Sequence, residues 1–123
     1  MHEGETIMVQ KLEYNGYTNY ETWNCALWLN NDQYTQEQLS DKALELVEEI
    51  DVHNADDIER IQQEMADFIA TMVDDMQENM GFHIEASMFA DMLNAALREI
   101  DYRDIARSEL ADALYEAAKK GAA

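Results

Sequence analysis

The stretch that decides the fold is Asn54-Ala55-Asp56-Asp57-Ile58-Glu59-Arg60-Ile61-Gln62-Gln63-Glu64-Met65-Ala66-Asp67-Phe68-Ile69-Ala70-Thr71-Met72-Val73-Asp74-Asp75-Met76-Gln77-Glu78-Asn79-Met80-Gly81. Ile58, Ile61, Met65, Phe68, Ile69, Met72, Met76 and Met80 recur at helical spacing without a fault. Asn54 is placed to cap the start, Asp56 and Asp57 sit in the first turn, and Gly81 stops the helix. At ~1.5 Å per residue a helix of ~26 residues is about 39 Å long. A rod of that length with one apolar stripe needs other helices to cover it.

Those helices are visible on either side. Upstream, Leu39, Ala43, Leu46, Val47 and Ile50 form one stripe, which predicts a helix over about 36–51 opened by the capping box Thr35-Gln36-Glu37-Gln38. Before it, Asn15-Gly16 signals a turn, and Asn19 caps a helix from about Tyr20 to Leu29. Tyr20, Trp23, Leu27 and Trp28 are its expected core layer. Downstream, Met88, Phe89, Met92, Leu93, Ala96, Leu97 and Ile100 mark a helix over about 85–100. Asp101 then caps a last helix carrying Ile105, Ala106, Leu110, Ala113, Leu114 and Ala117, which ends at Lys119-Lys120-Gly121. Residues 1–13 lack a helical period and read as a loosely ordered arm. The expected fold is all-α: a single domain over 14–123, with four or five helices around one core.

Composition agrees. The chain has 123 residues, 47% hydrophobic and 28% charged, which fits one globular domain. It has no proline and a single cysteine, Cys25, so an internal disulfide is excluded and a reducing cytosol is the expected setting. No apolar run of membrane-spanning length is found and the start does not read as a secretory leader, so a cytoplasmic protein without membrane attachment is expected.

Charge is the unusual property. Twenty-seven acids face eight bases, a formal net charge of −19. A chain so charged is repelled by nucleic acid and by anionic lipid, so direct binding to either is not expected. From Asp32 to Asp101 there are nineteen acids and only three bases, Lys42, Arg60 and Arg98, whereas residues 102–123 carry four of each. Glu37, Asp41, Glu45 and Glu49 make an i, i+4 ladder of like charge, and Asp56, Asp67, Asp74 and Glu78 lie on one line opposite the apolar stripe. Each close like-charge pair costs about 0.2–0.5 kcal/mol on an isolated helix.

Two explanations compete for that cost. One is solubility, with the chain a small structural or regulatory interaction module that dimerises through a methionine and aromatic face. The other is imitation of a nucleic-acid backbone, since carboxylates a turn apart on a rigid rod suit a groove of arginines and lysines. The second reading stakes Glu45, Glu48, Glu49, Asp67, Asp74, Asp75 and Glu78 as the binding residues for a basic, nucleic-acid-binding protein. Its mode of action is occupancy, without catalysis.

Enzymatic and metal chemistry find little support. His2, His53 and His83 fall in the arm or at helix boundaries, and Glu49 with His53 has no matching Glu-x-x-His pair. No EF-hand spacing, phosphate loop or nucleophile elbow is present. Cys25 reads as an inert thiol, and no cofactor is expected. Met65, Met72, Met76, Met80, Met88 and Met92 read first as core filling, with an adaptable partner groove as the sharper alternative.

The segment Tyr14-Asn15-Gly16-Tyr17-Thr18-Asn19-Tyr20-Glu21-Thr22-Trp23-Asn24-Cys25-Ala26-Leu27-Trp28-Leu29 resembles a largely uncharacterised family of small proteins from bacteriophages and mobile elements, which open with Tyr-x-Asn-Tyr-Glu-Thr-Trp-Asn-x-x-Leu-Trp-Leu. Asp91 to Ala106 resembles that family's second motif, with Tyr102 standing where a tryptophan is expected. Members travel with anti-restriction and other counter-defence genes. The resemblance therefore implies an inhibitor of a host nuclease system, of anti-restriction or anti-CRISPR type, with a nuclease or DNA-binding defence component as its partner.

Overall fold

A computed structural model describes residues 14–79 and 88–122 of the chain. Every regular element among them is helical: α1 (Tyr20–Asn31), α2 (Gln33–Glu48), α3 (Ala55–Asn79), α4 (Met88–Arg98) and α5 (Tyr102–Ala122). The arm at 1–13, the expected stop at Met80-Gly81 and the first turn expected of the fourth helix, 85–87, lie outside the described residues, as do His2 and His83.

The chain enters through a tight turn at Asn15-Gly16. Both residues have positive φ, 53° and 91°, and the Tyr17 N–H closes on the Tyr14 carbonyl at 3.0 Å. Consecutive left-handed residues are what the Asn-Gly pair supplies at low cost. Asn19 then caps α1 as expected, its side chain accepting the Thr22 N–H at 2.9 Å.

The α1–α2 corner is tighter than the sequence suggests. Asp32 is the residue after α1 and also the N-cap of α2, accepting from the Tyr34 N–H. The capping box expected at Thr35 is not used, because α2 has already begun. Thr35 is buried and donates its hydroxyl to Asp32 Oδ2 at 2.7 Å. At the other end α2 stops at Glu48 rather than at about 51, and Asp51, His53 and Asn54 form the link to α3. Asn54 caps α3 through the Asp57 N–H at 3.1 Å.

α5 is the hub of the domain. Ile105, Ala106 and Leu110 on it are fully buried, and α3, α2 and α1 all pack against it. α3 contributes Ile61, Met65, Ala66 and Ile69, α2 contributes Leu39, Ala43, Leu46 and Val47, and α1 contributes Ala26 and Leu29. These form one continuous core. α5 continues through Gly121 to Ala122, so the glycine is not the stop.

Two expectations about packing are corrected. On α1 the buried residues are Thr22, Ala26 and Leu29, while Tyr20, Leu27 and Trp28 are exposed, Trp28 by 69%. The buried face is therefore set by Thr22, Ala26 and Leu29, which face α2 and α5, and Tyr20 and Trp28 are left to the outside. Tyr20 and Trp23 instead pack on each other, with ring centroids 5.7 Å apart. The methionine stripe also divides. Met65 is fully buried and Met72 half-buried, but Met76, Met88 and Met92 are exposed, as is Phe89. α4 places only Ala90 in a buried position.

Candidate functional site: an acidic two-helix layer

α2 and α3 fold back on each other, as shown by the groove in which Tyr34, Thr35 and Gln38 from the start of α2 face Phe68, Thr71, Met72, Asp75 and Met76 from the second half of α3. Their outer sides carry the acids. Glu45, Glu48, Glu49, Asp67, Asp74, Asp75 and Glu78 are all exposed, together with Glu37 and Asp41.

The seven do not make one patch. Glu45, Glu48 and Glu49 sit at the C-terminal end of α2, and Asp74, Asp75 and Glu78 sit near the C-terminal end of α3. In an antiparallel pair these are opposite ends of the layer. Asp67, Asp74 and Glu78 share one outward ridge of α3, since residues seven and eleven apart return to nearly the same angle. Asp75 turns instead into the groove toward Tyr34 and Gln38, and Asp74 overhangs a depression formed with Arg98 and Tyr102 on the other flank.

What unifies the layer is the fate of its cations. Lys42 is drawn inward, its Nζ 5.6 Å from the centre of the Phe68 ring and 3.5 Å from Glu45. Arg60 is held by Asp57 at 3.7 Å and Glu64 at 3.5 Å. Among the described residues, Glu48, Glu49, Asp67, Asp74, Asp75 and Glu78 have no ion-pair partner. Asp67 accepts a hydrogen bond from Gln63 Nε2 at 3.0 Å.

The sequence reading passed over the carboxylates of α5. Glu109, Asp112 and Glu116 face α2 across a groove of about 440 Å³ that also takes in Asn30, Ser40 and Leu44. Asn30 fixes Glu109 with a 3.0 Å hydrogen bond. The signal was present as i, i+3, i+7 spacing of acids on α5, but the equal number of bases in the same segment masked it.

The two segments that carry the family resemblance meet at another place. Thr18 donates to Asp104 Oδ2 from its backbone at 2.8 Å and from its hydroxyl at 2.9 Å, and Asn19 Nδ2 donates to the Glu99 carbonyl at 2.8 Å. Asp101 caps α5 through the Asp104 N–H at 3.2 Å. Two helix N-termini thus brace each other, through Thr18, Asn19 and Thr22 on one side and Asp101 and Asp104 on the other. Beside this junction, burial pushes the Cys25 thiol up to about 11, and burial followed by Cys25 and Asp74 pushes Tyr102 up to about 12. A thiol so disfavoured as thiolate is a poor nucleophile.

Among the described residues no group of three or more His, Cys, Asp or Glu side chains is arranged to hold a metal ion, and no helix is long and apolar enough to cross a membrane. No curated protein and no solved structure matches the chain. A family model does match over residues 10–117, which is most of the chain, and the protein therefore belongs to the Family of unknown function (DUF7249).

Proposed function

We propose that this protein is an occupancy inhibitor: it presents the outer faces of α2 and α3 to a basic, nucleic-acid-binding protein and blocks the groove that would hold the nucleic acid. The observation that carries this reading is the withdrawal of Lys42 and the pinning of Arg60, which leave the outward ridges to carboxylates.

Charge density supports it. Glu37, Asp41, Glu45, Glu48 and Glu49 with Lys42 on α2, and eight acids with Arg60 between Asp56 and Glu78 on α3, leave a net eleven negative charges. Spread over the ~33 Å from Asp56 to Glu78, that is one charge per ~3 Å. A DNA strand carries one per about 3.4 Å, and the duplex one per about 1.7 Å. The layer therefore matches a single strand better than a duplex, and a groove that tracks single-stranded backbone is the best-fitting partner. The resemblance to mobile-element proteins found near counter-defence genes is consistent with such a target, of anti-restriction or anti-CRISPR type, in a bacterial cytoplasm.

The test is affinity capture from a bacterial host lysate on the immobilised protein, eluted by a salt gradient. The expected partner is a nuclease or DNA-binding protein that leaves at moderate salt and is displaced by single-stranded DNA. The quadruple variant Glu48→Lys, Asp67→Lys, Asp74→Lys, Glu78→Lys should capture nothing while keeping its helical circular dichroism. A partner that stays bound to that variant, or that resists the salt gradient, defeats the reading.

A further inference from the structure

α4 departs from the charge pattern of the rest of the molecule. Over Met88–Arg98 it carries one acid, Asp91, and one base, Arg98, and so is locally neutral in a chain of net charge −19. Its inward side is Ala90, with Leu93 and Leu97 half-buried. Its outward side exposes Met88 by 65%, Phe89 by 70% and Met92 by 61%. Ala95 and Ala96 are exposed on the same side. This is a compact apolar face with an acid near one end and a base at the other.

The arrangement is self-complementary. Asp91 and Arg98 are seven residues apart and lie on one edge of the helix, within about 20° of each other around its axis. A two-fold axis reverses the helix direction, so Asp91 of one copy meets Arg98 of the other, and the reverse pair forms at the same time. In that register Met92 of each copy falls opposite Ala95 and Ala96 of its mate, a large side chain against a gap left by two small ones. A second copy approaching any of the acidic faces is repelled, whereas over α4 itself it meets one acid and one base, with the exposed Glu99 just beyond the helix end.

We infer that α4 is a self-association face through which two copies of this chain pair with their α4 helices antiparallel, Met92 seated against Ala95 and Ala96 and flanked by reciprocal Asp91–Arg98 contacts. The inference does not depend on the acidic layer being a decoy, because no carboxylate of that layer enters the seam, although Asp74 lies beside Arg98 at its border.

Sedimentation equilibrium of the full chain in 50 mM and 500 mM NaCl tests it. Association of two strongly negative molecules through an apolar seam strengthens as salt screens their repulsion, by about tenfold over this range. This is opposite in sign to the salt dependence expected of the acidic layer. Asp91→Arg should weaken the dimer about tenfold or more by placing two cations together at each of the two reciprocal contacts, and adding Arg98→Asp should restore it to within about threefold. Met92→Glu should leave a monomer with unchanged helical circular dichroism. The triple variant Glu48→Lys, Asp67→Lys, Glu78→Lys, which leaves Asp74 beside Arg98, should still dimerise. A chain that is monomeric at high concentration in 500 mM NaCl, or a dimer that Asp91→Arg leaves intact or the charge swap does not rescue, overturns the inference.

Discussion

The Thr22 hydroxyl accepts the Asp101 backbone N–H at 2.9 Å and donates to Asn19 Oδ1 at 2.6 Å. One fully buried oxygen therefore joins the N-cap of α1 to the N-cap of α5. Thr22→Val keeps the shape and leaves the Asp101 N–H without its acceptor. The expected loss is about 1–3 kcal/mol in urea unfolding. Thr22→Ser, which keeps the hydroxyl, should lose less than about 1 kcal/mol. Equal losses for the two would mean that packing, not the hydrogen bond, sets the requirement.

Asn19 works from both ends of its amide. The oxygen caps α1, and the nitrogen donates to the Glu99 carbonyl at 2.8 Å. Asn19→Ala removes both and should cost about 1–2 kcal/mol. Asn19→Asp retains the cap but has no donor for Glu99, so its chemical-denaturation midpoint should fall between those of the parent and the alanine variant.

The core and the aromatic surface of α1 should separate cleanly under truncation. Leu110 is fully buried, so Leu110→Ala should cost about 2–5 kcal/mol. Trp28 is 69% exposed, and Trp28→Ala should change stability by less than about 1 kcal/mol despite the size of the deletion. A large loss at Trp28 would show that its ring is covered in solution, by a second copy or another partner.

The alkaline limb of stability follows from Cys25 and Tyr102. Burial raises the thiol from 9.0 to about 11, and burial with the nearby Cys25 and Asp74 raises the phenol from 10.0 to about 12. Below pH 9 both are neutral in folded and unfolded chains alike, and their contribution is fully present. As pH climbs from 9 to 12 the unfolded chain ionises first, so stability falls across that window and levels above it. Cys25→Ala should remove the portion of the fall between 9 and 11. In the native state at pH 8, Cys25 should react with a disulfide reagent about a hundredfold more slowly than in urea, the ratio set by two pH units of thiolate population.

The long helix and the helical class were legible because α3 repeats its apolar residues over about five turns, from Ile58 to Met76, and no local irregularity disturbs that period. Asn19, Asn54 and Asp101 were legible as caps because a short polar side chain before an apolar run has few other uses. What misled was α1. Periodicity weighs size, so Tyr20, Leu27 and Trp28 looked like core, while the actual buried face is Thr22, Ala26 and Leu29. Nothing local reveals that Thr22 will meet Asp101, a partner 79 residues away. For the acidic layer, the exposure of all seven chosen carboxylates could be read from their angle to the apolar stripe. Their division between the two ends of an antiparallel pair could not, because helix direction in the bundle is a tertiary property. Nor could the inward fold of Lys42 onto Phe68.

The like-charge ladder of α2 offers a direct test of whether the acids are kept for binding. Asp41 is exposed between Glu37 and Glu45, one turn from each. Asp41→Lys converts two repulsions into two attractions. At about 0.2–0.5 kcal/mol for each change, the variant should gain roughly 1 kcal/mol. For a domain of this size that is a rise of about 3–6 °C in Tm. The gain should shrink in 500 mM NaCl, since exposed charges are screened there. Were solubility the only purpose of the acids, a scattered lysine would serve as well, and Asp41→Lys would improve stability at no other cost. If the layer engages a basic groove, the same variant should be more stable and yet elute its captured partner at lower salt. A variant that gains stability and keeps full, salt-resistant capture would argue that the ladder is not part of the contact surface.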